Sequence, residues 1–210
     1  MALKLYLHPL SSYCHKVLIA LYENDIAFEP VLVERTNFDE FRRLWPIGKF
    51  PVLQDEPRGE LVPESSIIIE YLAVNHPGPV QLIPQDRELA WRVRLQDRFM
   101  DNYLHAPMQR FAAERLRPAD PVGLEQARAT YLTALSLLDS RMARQRWAVG
   151  DEFTMADCAA APALFYGERF YGPFGESHPN AMAYLERLLA RPSYARALRE
   201  AQPYMHLLPK

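Results

Sequence analysis

The pattern of apolar and polar positions divides the chain into a first part that mixes strands with helices and a second part of helices alone. Residues 3–7 read as a short strand, and residues 14–24 as a helix with Val17, Leu18 and Leu21 on one face. The next patterns predict, in order, a strand over residues 27–33, a short helix over 38–45, strands over 50–54 and 60–62, and a helix ending at residue 75. The order β-α-β-α-β-β-α is that of a small α/β unit.

The second part follows a stretch rich in Pro and Gly, residues 77–84, that is typical of a linker. From residue 86 onward the periodicity predicts helices over residues 89–116, 121–144, 181–189 and 193–200. Pro107 lies inside the first of these helices and predicts a bend. Thr154 and Asp157 have the spacing of a capping box, so a further helix begins there with Cys158 in its first turns. We therefore predict an α/β domain over residues 1–78, a linker over 79–86 and an all-helical domain over 87–210.

Composition and charge narrow the classes of function. The net charge of −2 argues against a general role at nucleic acids or membrane surfaces, and we expect neither as a partner. We find no apolar run of about 20 residues that would span a bilayer, and the chain enters a strand without a signal segment. Cys14 and Cys158 do not make a disulfide framework, which fits a cytoplasmic protein. The histidines and cysteines lack metal-ligand spacing, so we expect no metal.

Candidate chemistry lies in the turn between the first strand and the first helix. This turn delivers the hydroxyls of Ser11 and Ser12 and the thiol of Cys14 to a helix N-terminus. Such a terminus has unpaired N–H groups and the positive end of the helix dipole, so it favours an anion such as a thiolate. The alternative is that Ser11 or Ser12 only caps the helix.

Four further motifs follow in order along nearly the whole chain. They are Gly48-Lys49-Phe50-Pro51-Val52-Leu53, Glu64-Ser65 at a helix start, Gly150-Asp151 before Thr154, and Ala190-Arg191-Pro192-Ser193. Together with the element order they resemble the glutathione transferase family. The resemblance implies a thioredoxin-like domain that binds glutathione as co-substrate, a helical domain that binds an electrophile, and a homodimer.

The resemblance also implies roles for particular residues. Lys49, Phe50, Pro51, Glu64 and Ser65 match positions that bind glutathione, and the Phe50–Pro51 bond is expected to be cis. Ser11 falls at the catalytic position, where a hydroxyl activates the thiol, and Ser12, Tyr13 and Cys14 are its rivals. The electrophile is expected against a set of apolar helical residues: Tyr103, Met108, Phe111, Tyr166 and Phe170.

The function predicted first is therefore conjugation of glutathione to small electrophiles, a detoxification type of reaction. One alternative is a catalytically silent interaction protein that resembles stringent starvation proteins. Others are a glutathione-dependent isomerase, or a redox enzyme that uses Cys14 through mixed disulfides. The redox alternative requires Cys14 to be exposed with a low pKa, whereas a cysteine inside a helix turn is expected to be buried and inert.

Overall fold

A computed structural model describes residues 3–117 and 120–209 of the chain. Its first part contains one four-stranded sheet. The strands are β1 (Leu3–Leu7), β2 (Glu29–Leu32), β3 (Val52–Asp55) and β4 (Glu60–Pro63), in the spatial order β2-β1-β3-β4. β1 pairs with β2 in parallel, whereas β3 runs antiparallel to both β1 and β4.

Three helices complete this part: α1 (Ser12–Glu23), α2 (Phe38–Leu44) and α3 (Ser65–Asn75). A 3₁₀ turn at Glu56–Arg58 forms the tip of the hairpin between β3 and β4. The predicted order β-α-β-α-β-β-α is confirmed. α1 begins two residues earlier than predicted because Ser11 is its N-cap and accepts the N–H of Cys14 at 3.3 Å.

The described residues of the second part form helices and the loops between them, with no strand, as predicted. It contains α4 (Arg87–Phe99), a π-helical segment (Met100–His105), α5 (Ala106–Leu116), α6 (Pro121–Met142), α7 (Met155–Phe170), α8 (Pro179–Leu189), α9 (Pro192–Ala201) and a final 3₁₀ segment (Gln202–Leu207). The disturbance predicted at Pro107 takes the form of the π-helical segment that ends just before it. Because proline lacks an N–H, a carbonyl in the preceding turn loses its usual partner, and a wider π-helical turn accommodates this gap in the hydrogen-bond ladder.

The core joins the two parts through α1 and α7. α1 packs against α3, α7 and α9, and α7 also packs against α4, α5, α8 and the π-helical segment. The buried run Ala159–Ala161 lets these neighbours approach α7 closely. Gly167 serves the same purpose, since a Cβ there would collide with the hydroxyl of Tyr131 on α6. None of the helices in the described ranges is long and apolar enough to cross a membrane.

Candidate functional site

A cleft of about 340 Å³ lies where the two parts meet. It is bounded by the first turn of α1, the loop before β3, the start of α3, and α4 with its π-helical continuation. Its lining residues are Tyr13, Trp45, Lys49, Phe50, Pro51, Glu64, Ser65, Ser66, Ile67, Arg98, Asp101 and Asn102. All five residues predicted to bind glutathione are in this set.

The loop before β3 forms one wall of the cleft. The Phe50–Pro51 peptide bond is cis, as predicted, and Gly48 turns the chain at φ +69°. Lys49 is exposed, so its ammonium is accessible to a ligand. Phe50 is half-buried, with its ring centroid 6.3 Å from that of His8 in the turn before α1. This wall therefore offers a cation beside an apolar surface.

The start of α3 forms another wall. Glu64 is exposed and has φ +70°, a left-handed conformation that is uncommon for a residue other than glycine. Non-glycine residues in such conformations cluster at functional sites. The side chain of Glu64 does not cap α3, and Ser65 follows as the first helical residue. The N–H groups of the first turn therefore favour an anion, with a carboxylate from Glu64 close by.

The turn before α1 presents its two serines differently. Ser11 is half-buried, and its role as N-cap uses its oxygen as an acceptor, which leaves the hydroxyl hydrogen to be donated. Ser12 is 2% exposed, and its oxygen accepts a 2.9 Å hydrogen bond from the amide of Gln109 on α5. Capping and thiol activation are therefore compatible at Ser11, whereas Ser12 is occupied by a contact between the two parts of the fold.

Tyr13 lines the cleft itself. From the sequence alone it was only a rival to Ser11 for the catalytic role. Its ring stacks on His105 at a centroid distance of 4.3 Å. Burial, with the charge of Asp101 adding to it, raises the pKa of Tyr13 to about 12. The phenol therefore remains protonated at neutral pH and is a hydrogen-bond donor.

Cys14 faces the core, and its side chain is 0% exposed. Burial raises the pKa of its thiol to about 12, although the side chain of Ser11 opposes this shift. A thiol that is buried and protonated cannot form mixed disulfides readily. The structure therefore contradicts what the redox alternative requires of Cys14.

A group of polar side chains, which we call the charged cluster, borders the cleft. It consists of four buried residues, Lys16, Ser66, Asp97 and Asp101, and of Arg98, whose side chain is half exposed. The ammonium of Lys16 lies 2.6 Å from the carboxylate of Asp97, and it donates to Asp101 at 2.8 Å and to the hydroxyl of Ser66 at 2.7 Å. Ser66 in turn donates to Asp97 at 2.7 Å. The cluster joins α1, α3 and α4 at the place where they form the cleft.

His105 and Lys16 together control the ionisation of Asp101. Burial alone would raise the pKa of Asp101, but the hydrogen bond from His105 and the charge of Lys16 hold it well below its usual range. Sequence reasoning missed this cluster, because its members are separated by up to 85 residues. One signal was present: Lys16 directly precedes the apolar run Val17–Leu21 on the first predicted helix.

A second, smaller pocket of about 220 Å³ adjoins Ser12. Met108, Tyr166 and Phe170, three of the predicted electrophile-binding residues, are among its lining. The other two lie elsewhere. Tyr103 is 50% exposed on the π-helical segment and packs against Phe99, and Phe111 is buried against Tyr131 and Tyr171.

Gln109 also lines this second pocket and was not predicted from the sequence.

Within the parts of the chain that the structure describes, no group of three or more His, Cys, Asp or Glu residues is placed to hold a metal ion.

Comparison with known proteins gives a consistent result. Residues 5–80 match the family model for the glutathione S-transferase N-terminal domain, and residues 99–192 match that for the C-terminal domain. Glutathione S-transferase hmp2 of Hypomyces subiculosus is 29% identical over 96% of this chain and 100% of its own length. A stringent starvation protein A homolog of Histophilus somni is 25% identical over 95% of this chain and 91% of its own.

A solved structure extends the similarity to the whole fold. The glutathione S-transferase of Methylobacterium radiotolerans, crystallised in complex with glutathione sulfonate, is 30% identical. It superposes with a TM-score of 0.81 and covers 94% of each chain.

Proposed function

Because this chain belongs to the glutathione S-transferase family, we propose that it binds glutathione in the cleft and transfers it to small electrophiles. The observation that carries the proposal is that one cleft brings together Lys49, Pro51, Glu64 and Ser65. We assign glutathione binding to residues 1–78 and electrophile binding to residues 87–210, with 79–86 as the linker between them.

The cleft matches glutathione in charge. Glutathione has a carboxylate at each end and an ammonium at its γ-glutamyl end. Lys49 suits the glycyl carboxylate, and the first turn of α3 at Ser65 suits the γ-glutamyl carboxylate. Glu64, exposed beside Ser65, is available to the ammonium.

Ser11 is the residue proposed to activate the thiol. Lowering the thiol pKa by two units below its ordinary value of about 8.5 requires about 2.7 kcal/mol of preferential thiolate stabilisation. A hydrogen bond from the Ser11 hydroxyl and the N-terminus of α1 together supply an effect of this size. Tyr13, a protonated phenol that lines the cleft whereas Ser11 does not, is the rival donor. We expect Ser11→Ala to return the thiol pKa towards its free value while Tyr13→Phe leaves it low, and the reverse result would assign the role to Tyr13.

The electrophile is proposed to occupy the second pocket, against Met108, Tyr166 and Phe170. The thiolate sulfur attacks an electrophilic carbon there and forms a carbon–sulfur bond. The leaving group, or the electron pair of an activated double bond, takes up the negative charge. Ser11 acts as a hydrogen-bond donor and forms no covalent bond to the substrate.

The test is calorimetric titration with glutathione of the wild type, Ser65→Ala and the control Ser140→Ala, whose serine is exposed on α6. We expect Ser65→Ala to weaken binding by about tenfold or more, as removal of a hydrogen bond to a charged group does, and the control to bind as the wild type. Ionisation of the bound thiol is followed by the ultraviolet absorbance of the thiolate. Absence of binding by the wild type at millimolar glutathione would overturn the proposal.

A catalytically silent interaction protein is the second candidate, and the similarity to the stringent starvation protein A homolog favours it. It predicts that glutathione is not bound at all, so the same titration separates the two functions.

We further propose a homodimer formed through α3 and α4. These helices expose Ile67 and Val74 at i, i+7 and Trp91 and Leu95 at i, i+4, which gives each an apolar stripe. Analytical sedimentation tests this proposal. We expect the wild type to sediment as a dimer and Leu95→Arg as a monomer. A monomeric wild type would exclude the homodimer.

A further inference from the structure

His15 lies on α1, one turn beyond Ser11, and has no place in the chemistry proposed above. It is fully buried, and its ring makes one hydrogen bond within the described part of the chain: Nε2 lies 2.6 Å from the carbonyl oxygen of Pro9, in the turn before α1. We propose that His15 is a positioning residue, which holds this turn through that bond and so fixes the place from which Ser11 donates to the thiolate. The inference deepens the proposed function and rests on it.

The contact with Pro9 determines which ring nitrogen of His15 bears the hydrogen. A carbonyl oxygen can only accept, so Nε2 is the donor and Nδ1 is the bare nitrogen, which has no partner among residues 3–117 and 120–209. Burial lowers the pKa of His15 to about 4, although the bond to Pro9 opposes this shift. The imidazole is therefore neutral at physiological pH, and His15 acts through one N–H group and not through charge.

The turn depends on this bond because its other hydrogen bonds are local. The N–H of Ser11 donates to the carbonyl of His8 at 2.9 Å, and the N–H of Leu10 donates to Nδ1 of His8 at 3.2 Å. Both bonds join residues of the turn to each other. Among the described hydrogen bonds, the one from His15 to Pro9 ties the residues before Ser11 to α1.

The Ser11 hydroxyl is not held firmly by its own cap bond. Its oxygen accepts the N–H of Cys14 at 3.3 Å, which is long for a bond between a nitrogen donor and an oxygen acceptor. The position of the hydroxyl therefore follows the backbone of the turn. A misplacement of about 1 Å at a reacting group can cost about a hundredfold in rate, so a turn that shifts by that distance would lose much of the activation.

The ring of His15 is itself held by two other helices. Its centroid lies 5.6 Å from that of Tyr166 on α7 and 5.9 Å from that of Tyr194 on α9, and both tyrosines are buried. A side chain packed among buried aromatic rings has little freedom to change rotamer. The carbonyl of Pro9 is therefore tied to the core of the protein, and not to a mobile surface group.

The experiment separates the N–H group of His15 from its bulk. In His15→Gln the amide nitrogen can occupy the position of Nε2 and donate to Pro9, whereas in His15→Asn the amide is one carbon shorter and corresponds to Nδ1. Both variants bury the same amide group, so the difference between them measures reach alone. The control is His206→Phe. His206 donates through Nδ1 to the carbonyl of Pro203 at 2.9 Å, the same kind of bond at an exposed position.

Each protein is titrated calorimetrically with glutathione and with S-methylglutathione, whose sulfur cannot ionise. The thiolate absorbance of bound glutathione is then followed against pH. We expect His15→Asn to raise the pKa of the bound thiol by about one unit or more, towards its free value of about 8.5, and His15→Gln to keep it near the wild-type value. All variants are expected to bind S-methylglutathione as the wild type does, because this ligand has no thiolate for Ser11 to stabilise.

The outcomes separate this inference from the proposed function. If the wild type binds neither ligand, the proposed function fails and the role of His15 fails with it. If the wild type binds both but the thiol pKa is unchanged in His15→Asn, or is raised equally in His15→Gln, the role of His15 is overturned and the function stands. Equal weakening of both ligands in His15→Asn would mean that His15 only stabilises the fold. His15→Phe, which has a ring but no donor, replaces His15→Asn should that variant not fold, as judged by circular dichroism.

Discussion

Two buried carboxylate clusters join helices in this protein, and they rely on different interactions. In the charged cluster, Asp97 and Asp101 face the cations Lys16 and Arg98. In the second, which we call the capping cluster, Asp157 at the start of α7 accepts hydrogen bonds from neutral groups only. These are the N–H of Ala148 at 2.8 Å, the N–H and hydroxyl of Thr154 at 2.8 and 3.0 Å, and the hydroxyl of Tyr184 at 2.5 Å.

The pKa shifts of the two clusters have opposite signs. Burial would raise the pKa of Asp101, but His105 and Lys16 bring it below its usual range. Burial also acts on Asp157, and there the neutral donors do not offset it, so the pKa of Asp157 is raised. The charged cluster lies at the cleft, whereas the capping cluster lies in the core. The charged cluster therefore contributes two of its charged side chains, Arg98 and Asp101, to the lining of the cleft, and the capping cluster contributes none.

The largest effect is expected from Lys16→Met, which removes the buried cation of the charged cluster. Among the members of the charged cluster, Arg98 is then the one cation left to Asp97 and Asp101, and breaking a buried ion pair of this kind destabilises a protein by about 3–5 kcal/mol. Urea unfolding at fixed protein concentration measures the change. Lys49→Met, which replaces an exposed lysine, is the matched control and should lie within about 0.5 kcal/mol of the wild type.

A triple variant, Lys16→Met with Asp97→Asn and Asp101→Asn, tests the cause. If uncompensated charge destabilises Lys16→Met, neutralising both carboxylates should restore a large part of the loss. A triple variant no more stable than Lys16→Met would show that packing, and not charge, was lost.

Asp157→Ala is expected to have the next largest effect. It leaves three donor groups in the core and the hydroxyl of Tyr184 without their acceptor, and we expect a loss of about 3 kcal/mol. The control is Asp151→Ala, an exposed aspartate just before the helix. Equal unfolding free energies for the two variants would contradict a role for Asp157 in stability.

The two clusters also differ in how far the sequence predicted them. Thr154 and Asp157 are three residues apart, so their capping box is a local pattern and was predicted correctly. The element order was also predicted, because hydrophobic periodicity and turn residues are local. The charged cluster depends on how α1 meets α3 and α4, which no local pattern specifies. For the same reason Arg98 and Gln109 were missed, and Tyr103 and Phe111 were not brought to the pocket.

Opposite pKa shifts predict opposite responses to acid. Asp101 has a folded-state pKa below its unfolded value, so its contribution is complete above the unfolded pKa of about 4 and is lost as the pH falls below it. Asp157 has a folded-state pKa above its unfolded value, so its contribution increases as the pH falls through the interval between them.

Unfolding free energies of the wild type, Asp101→Asn and Asp157→Asn between neutral pH and pH values of about 3 measure both terms. The free energy of unfolding of the wild type should exceed that of Asp101→Asn by less in acid than at neutral pH. Relative to Asp157→Asn, the wild type should become more stable as the pH falls. Differences that do not change with pH would exclude both shifts.

The smallest effect is expected at Asp86, which caps a helix as Asp157 does but at a position exposed to water. Asp86 is the N-cap of α4, and its carboxylate accepts the N–H of Leu89 at 2.9 Å from an exposed position. Because water can replace the lost acceptor, Asp86→Ala should cost about 1 kcal/mol, and Asp86→Asn, which keeps a capping oxygen, only a few tenths. The same urea series measures both. A loss at Asp86→Ala as large as that at Asp157→Ala would mean that burial is not what gives the capping cluster its strength.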